Sequence, residues 1–139
     1  MIDKEGRLRR LNAHIHSQGK VYPTLSDGVT VAAAAGLWAL SAGFTEIIPV
    51  NTITSDFAIH YINVEAASDS DVYEIVLYAA EVEIGRARVT FIDIANSQTL
   101  PSIPFAAEVI PANTQIQAKI ATKGGGSDTI GISLAYHLH

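Results

Sequence analysis

Apolar side chains return at every second position in five separate stretches of this chain, and that rhythm limits the fold more than any other feature. Phe57, Ile59 and Tyr61 alternate against Ala58, His60 and Ile62, and residues 72–78 read Val-Tyr-Glu-Ile-Val-Leu-Tyr. Val82, Ile84, Ala87, Val89 and Phe91 stand against Glu83, Arg86, Arg88 and Thr90. Ile116, Ala118 and Ile120 alternate with Gln115, Gln117 and Lys119, and Ile130, Ile132, Leu134 and Tyr136 close the chain in the same way. Side chains of a strand point alternately to its two faces, whereas those of a helix repeat every 3.6 residues. The pattern therefore predicts strands with one face buried.

The punctuation between these stretches agrees. Ser26-Asp27-Gly28, Ser41-Ala42-Gly43, Ser68-Asp69-Ser70-Asp71, Asn96-Ser97 and Lys123-Gly124-Gly125-Gly126-Ser127-Asp128 are turn-forming clusters. They delimit about eight short antiparallel strands, the count of a sandwich or barrel. Residues 31–42 are the one rival for a helix, because of their alanines. Gly36 and Gly43 and the lack of a capping pair favour strand or irregular structure there. One internal echo refines the picture. Ile48-Pro49-Val50-Asn51-Thr52-Ile53 resembles Ile110-Pro111-Ala112-Asn113-Thr114-Gln115-Ile116. Proline stops ladder pairing and Asn-Thr turns the chain, so one corner is used twice. Two such corners in an all-β chain point to a jelly-roll-like sandwich of paired Greek-key halves.

The 139 residues make one domain. Only 17% are charged and 48% are hydrophobic, so much of the chain is buried within the domain or against other subunits. With no cysteine, a disulfide framework, a thiolate zinc site and a cysteine nucleophile are excluded. A net charge of -5 argues against a nucleic-acid partner, which demands clustered cations. No stretch approaches the roughly 20 apolar residues of a membrane helix, and no secretory signal opens the sequence.

Residues 1–24 break the pattern. Lys4, Arg7, Arg9 and Arg10 cluster there, and Leu8, Leu11 and Ile15 fall at helical spacing. They read as an N-terminal arm or short helix ahead of a β-sandwich domain over residues 25–139, ordered on a partner. Arg7, Leu8, Arg9, Arg10, Leu11 and Tyr22 are the expected partner-binding residues.

Candidate chemistry is sparse. His14-Ile15-His16 and His137-Leu138-His139 each place two imidazoles on one side of an extended strand, a geometry that suits divalent metals. Neither lies mid-barrel with a downstream glutamate, as a cupin-like metalloenzyme requires. His60 and Glu65, five apart, would face opposite sides of a continuous strand. Asp69-Ser70-Asp71 lacks EF-hand spacing and reads as an Asx turn. Gly131-Ile132-Ser133-Leu134-Ala135 departs from the nucleophile-elbow pattern at its last position. The lysine-glycine run at 123–127 lacks the ending of a P-loop. Trp38, Tyr61, Tyr73, Tyr78 and Tyr136 read as packing residues. The expectation is a protein that is not an enzyme, with no cofactor and no metal.

Several segments resemble a family of small proteins encoded in tailed-phage and prophage structural gene clusters. They are Val21-Tyr22-Pro23-Thr24-Leu25 with Gly28-Val29-Thr30-Val31, the corner from Glu46 to Ile53 with Phe57-Ala58-Ile59-His60, and the strand from Asp71 to Tyr78. Glu83-Ile84-Gly85-Arg86, Ile110-Pro111-Ala112-Asn113-Thr114 and the stretch from Ile132 to His137 fit as well, so the resemblance spans residues 21–137. It implies a virion component, a capsid decoration or cement protein on the capsid surface, made in the bacterial host cytoplasm. It also implies the major capsid protein or other virion subunits as partners, and a homo-oligomer, commonly a trimer. No site residue is carried over by it. A receptor- or glycan-binding module of a tail or fibre is the alternative.

Overall fold

A computed structural model describes residues 18–92 and 100–139. Nine strands form: β1 (Gly19–Tyr22), β2 (Val29–Ala32), β3 (Thr45–Ile48), β4 (Phe57–Ala67), β5 (Asp71–Ala79), β6 (Val82–Phe91), β7 (Ser102–Pro104), β8 (Ile116–Thr122) and β9 (Thr129–Leu138). Among the described residues no helix is long and apolar enough to cross a membrane. The cationic cluster Arg7, Leu8, Arg9, Arg10 and Leu11 lies outside the described residues.

Pairing is antiparallel throughout and nested. One sheet runs β1-β9-β4-β7, with β2 also on β9, and the other runs β3-β8-β5-β6. The first strands thus pair with the last, the third with the eighth, the fourth with the seventh and the fifth with the sixth. A long hairpin rolled up in this way is a jelly roll. β1 and β2 occupy one position: Gly19–Tyr22 lies against His137 to Leu134, and Val29–Ala32 against Ile132 to Thr129. Nine segments therefore fill the eight places that the turn clusters predicted. The composition break at residue 24 does not mark the start of the sandwich, because β1 is already part of the sheet edge. Between β1 and β2 the chain leaves the sheet after the cis Tyr22-Pro23 bond, and Gly28 returns it at φ 88°. A Cβ there would sit 2.7 Å from the Ile132 carbonyl oxygen, so only glycine lets the backbone come so close.

The core lies between the sheets. Ile62, Val64, Ile132 and Leu134 of one sheet meet Tyr73, Ile75, Leu77, Ile116 and Ile120 of the other, all buried. The alternation predicts β5, β8 and β9 as they stand. β4 departs from it. The register slips at His60 and again at Glu65, each an extra residue that shifts the phase by one. After the first slip Ile62 points inward and Tyr61 outward, 46% exposed, the reverse of the alternation read from sequence.

The repeated corner is one structural device. Asn51 and Asn113 both have left-handed backbones, with φ of 63° and 67°, a conformation that asparagine tolerates better than most residues. The two corners face each other: Asn51 N–H donates to the Asn113 carbonyl (3.1 Å), and Asn113 N–H donates to the Ile53 carbonyl (2.7 Å). Their isoleucines, Ile48 and Ile110, are both buried in the core.

Candidate functional site

The outer face of the β3-β8-β5-β6 sheet carries a cluster of aromatic, cationic and acidic side chains. Outward positions of β5 are Glu74, Val76 and Tyr78, out of phase with the core residues Tyr73, Ile75 and Leu77. The register builds rows across the sheet. Glu74 lies between Ala121 and Arg88, Val76 between Lys119 and Arg86, and Tyr78 between Gln117 and Glu83. Val76 is fully buried without belonging to the core. The aliphatic stems of its long cationic neighbours can cover it while their charged ends stay in water.

A segment before β3 adds aromatics to this face. Residues 36–41 run beside β8 and extend the ladder that β3 makes: Gly36 N–H donates to the Gly125 carbonyl, Trp38 N–H to Thr122 (2.8 Å) and Ser41 N–H to Ile120 (3.0 Å). Buried Ser41 locks the segment. Its hydroxyl donates to the Ala32 carbonyl (2.5 Å) and accepts the Ile120 N–H (3.0 Å). Trp38, at φ 54°, reaches the Arg88 guanidinium, 4.3 Å from the ring centre. Phe44 stands edge-on to Tyr78 at 4.9 Å, and Lys119 Nζ lies 4.3 Å from the Phe44 ring centre. Trp38 and Phe44 are 38% and 40% exposed.

Carboxylates fix the cations. Glu74 takes Arg88 Nε at 2.8 Å and Arg86 at 3.0 Å, and Glu83 takes Arg86 at 2.8 Å. Hydrogen bonds from Arg88 and Arg86 hold the Glu74 carboxyl below the usual carboxylate range. Arg86 does the same to Glu83. Solvent screens exposed pairs of this kind, so their larger effect is to fix where the guanidinium groups stand.

Other sequence candidates have structural roles. Asp69 accepts Ser70 N–H at 2.8 Å, and Asp71 accepts Val72 N–H at 2.7 Å and Gly124 N–H at 3.0 Å. The acidic pair is thus an Asx-type tie between the β4–β5 turn and the 123–128 loop. Buried Tyr73 donates to the Asp69 carbonyl, and burial, with the Asp128 and Asp71 charges, pushes its phenol up to about 12. Ser133 donates to Glu65 (2.6 Å) and accepts from Asn63. It is a buried mid-strand residue with no histidine in this network. Tyr22 ends β1 and packs partly against the core. His14 and His16 lie outside the described residues. His60 and Glu65 share the outer face of the other sheet, contrary to the sequence reading, because the β4 bulge shifts the phase between them. A groove of about 530 Å3 beside the β5–β6 hairpin is lined by Val82, Ile84, Val109 and Pro111, with Glu83 and Glu108 as its charged lining residues. Among the described residues no group of three or more metal-ligating side chains is placed to hold an ion.

No protein-family model matches this sequence, and no curated protein matches it significantly. Solved structures are similar in shape. One is the carbohydrate-binding module CBM36 in complex with calcium and xylotriose, at 13% identity over 86% of this chain and 88% of that one, with a TM-score of 0.39. Two others are the infectious bursal disease virus T13 viral particle and the VP2 subviral particle of the same virus, at 19% and 17% identity with TM-scores of 0.44. Both viral matches cover 88% of this chain, which spans about a third of the viral chains' length (32% and 33%). The jelly-roll assignment rests on the strand pairing described above.

Sequence reasoning missed this face. Trp38 and Tyr78 read as packing residues, and Arg86 and Arg88 as an ordinary solvated strand. The available signal was parity: Tyr78 shares the phase of Glu74, not of Tyr73.

Proposed function

We propose that this protein is a bacteriophage virion structural protein, a capsid decoration or cement protein that binds and stabilises the assembled head shell. Its partner is the major capsid protein or another virion subunit. The protein works as a homo-oligomer, with a trimer favoured, on the capsid surface after synthesis in the bacterial host cytoplasm. The observation that carries this reading is the outer face of the β3-β8-β5-β6 sheet. Aromatic residues and Arg are enriched where proteins meet, and here partly exposed Trp38, Phe44, Arg86 and Arg88 cluster around buried Tyr78, with the Trp38 segment held by backbone bonds. The resemblance to tailed-phage structural proteins supports the same role, and so does a jelly roll, a fold of viral capsid domains. Stabilisation follows from binding the assembled shell better than its loosened form.

The second reading, a tail- or fibre-associated glycan-binding module, draws on the same exposed aromatics. It is the weaker one because a cation already lies against each exposed ring and competes for it. Arg88 covers one side of Trp38 and Lys119 one side of Phe44. Co-sedimentation with shells assembled from the phage's major capsid protein separates the two. Saturable binding with a raised shell-melting temperature supports decoration. No binding, together with a positive glycan array, overturns it.

A further inference from the structure

The outer face of the other sheet carries a cluster that the proposed function does not use. β4 and β9, with 11 and 10 residues, are its longest strands and lie side by side. His60 is the extra residue at the β4 bulge, and His137 sits opposite Ala58 on β9. The bulge turns the His60 ring toward β9. The two rings lie edge to edge and nearly coplanar, 4.1 Å between centres and 18° from parallel, with His60 Nε2 facing His137 Nδ1 in a hydrogen bond. The His139 ring centre lies 5.6 Å from that of His137 on the same side.

We propose that His60 and His137 form a two-imidazole site for a divalent transition-metal ion, completed by water, that clips β4 to β9. Both backbones are held. The His60 carbonyl accepts Phe105 N–H at 2.7 Å, and His137 lies in register with Gly19 of β1. A metal–imidazole bond is about 2.0–2.1 Å long. Bound tetrahedrally, an ion would hold the two nitrogens roughly 3.3 Å apart, so taking one up requires the His60 and His137 rings to swing apart from their present contact. There is room for water: a Cβ built on Gly19, beside His137, meets nothing within 4 Å. Imidazole donors suit zinc, nickel and copper and not magnesium or calcium. This site is the place where the His-x-His ending of the sequence acquires a partner, and the partner is His60, not a distant carboxylate.

The test is isothermal titration of the full chain with Zn2+, Ni2+ and Ca2+, alongside H60Q, H137Q and the double variant H14Q/H16Q. The expected result is one equivalent of zinc and of nickel, no calcium, and a loss of affinity of at least about tenfold in H60Q and H137Q. H14Q/H16Q should bind as the parent does. Zinc should also raise the Tm of the parent but not of H60Q, while the two melt alike in EDTA. The proposal is overturned if H60Q binds zinc as tightly as the parent, if H14Q/H16Q abolishes binding, or if the parent takes up no stoichiometric metal.

Discussion

Ser41→Ala tests how the candidate face is built. The hydroxyl is buried and serves two backbone groups at once, the Ala32 carbonyl and the Ile120 N–H. Alanine fills nearly the same space, so packing is almost unchanged. What remains is a buried N–H in the middle of β8 without its acceptor, at a cost of about 1–3 kcal/mol. At about 2 kcal/mol, the Tm falls by on the order of 8 °C for a domain of this size. Urea denaturation should show a lower midpoint with an unchanged slope, the mark of lost stability without a change in exposed surface. The chain has a single tryptophan, and Trp38 sits three residues from Ser41. Its emission therefore reports the segment directly: acrylamide should quench Trp38 more strongly in S41A under native conditions. An unfolding free energy within about 0.5 kcal/mol of the parent, with quenching unchanged, would refute the claim that Ser41 locks this segment, since surface substitutions fall in that range.

Four further variants probe the frame. Ala80 and Glu81 form the two-residue β5–β6 turn with φ of 47° and 67°, where Asn-Gly is preferred. A80N/E81G should stabilise by about 1–2 kcal/mol in urea unfolding, because both backbone N–H bonds, to Gln115 and Gln117, are kept. Gly28→Ala places a methyl against the Ile132 carbonyl at a positive φ, and should lower stability by at least about 1–2 kcal/mol, read as a drop in Tm. Two carboxylates should respond to pH with opposite signs. Glu74 is held below its usual range, so its stabilisation is present above its unfolded pKa and is lost as pH falls through the native value; E74Q lowers Tm at pH 7, and the gap closes in acid. Asp128 is raised by burial first, then by a hydrogen bond with Asp71 and by neighbouring acidic charge. It opposes folding once ionised, so D128N should raise Tm at pH 7 and leave it unchanged at pH 3.

The jelly roll was legible because its strands announce themselves. In β8 and β9 every inward residue except Thr122 is aliphatic or aromatic at strict alternation. The paired corners carry the same Ile-Pro-x-Asn-Thr signature because each needs the same left-handed asparagine. What could not be read was phase across a bulge. Neither His60 nor Glu65 is a residue type that marks one, yet each slip inverts the faces beyond it, exposing Tyr61 and bringing His60 to His137. Nor does local pattern reveal a strand broken in two. Gly19–Tyr22 has too few large apolar residues to stand out, and its place in the sheet is set by β9, more than a hundred residues away. The candidate face was hidden for a related reason. Its contacts join residue 38 to 88 and residue 44 to 78 and 119, and only the pairing of β8 with β5 and β5 with β6 brings those positions together.

On the proposed function, the outer face of the β3-β8-β5-β6 sheet meets the shell. Hydroxyl-radical footprinting of the protein free and bound to assembled shells tests it at single side chains. If that face meets the shell, Trp38 and Phe44 become protected on binding, whereas Tyr61, on the outer face of the opposite sheet, stays as reactive as in the free protein. Protection of Tyr61 with no change at Trp38 and Phe44 would contradict it.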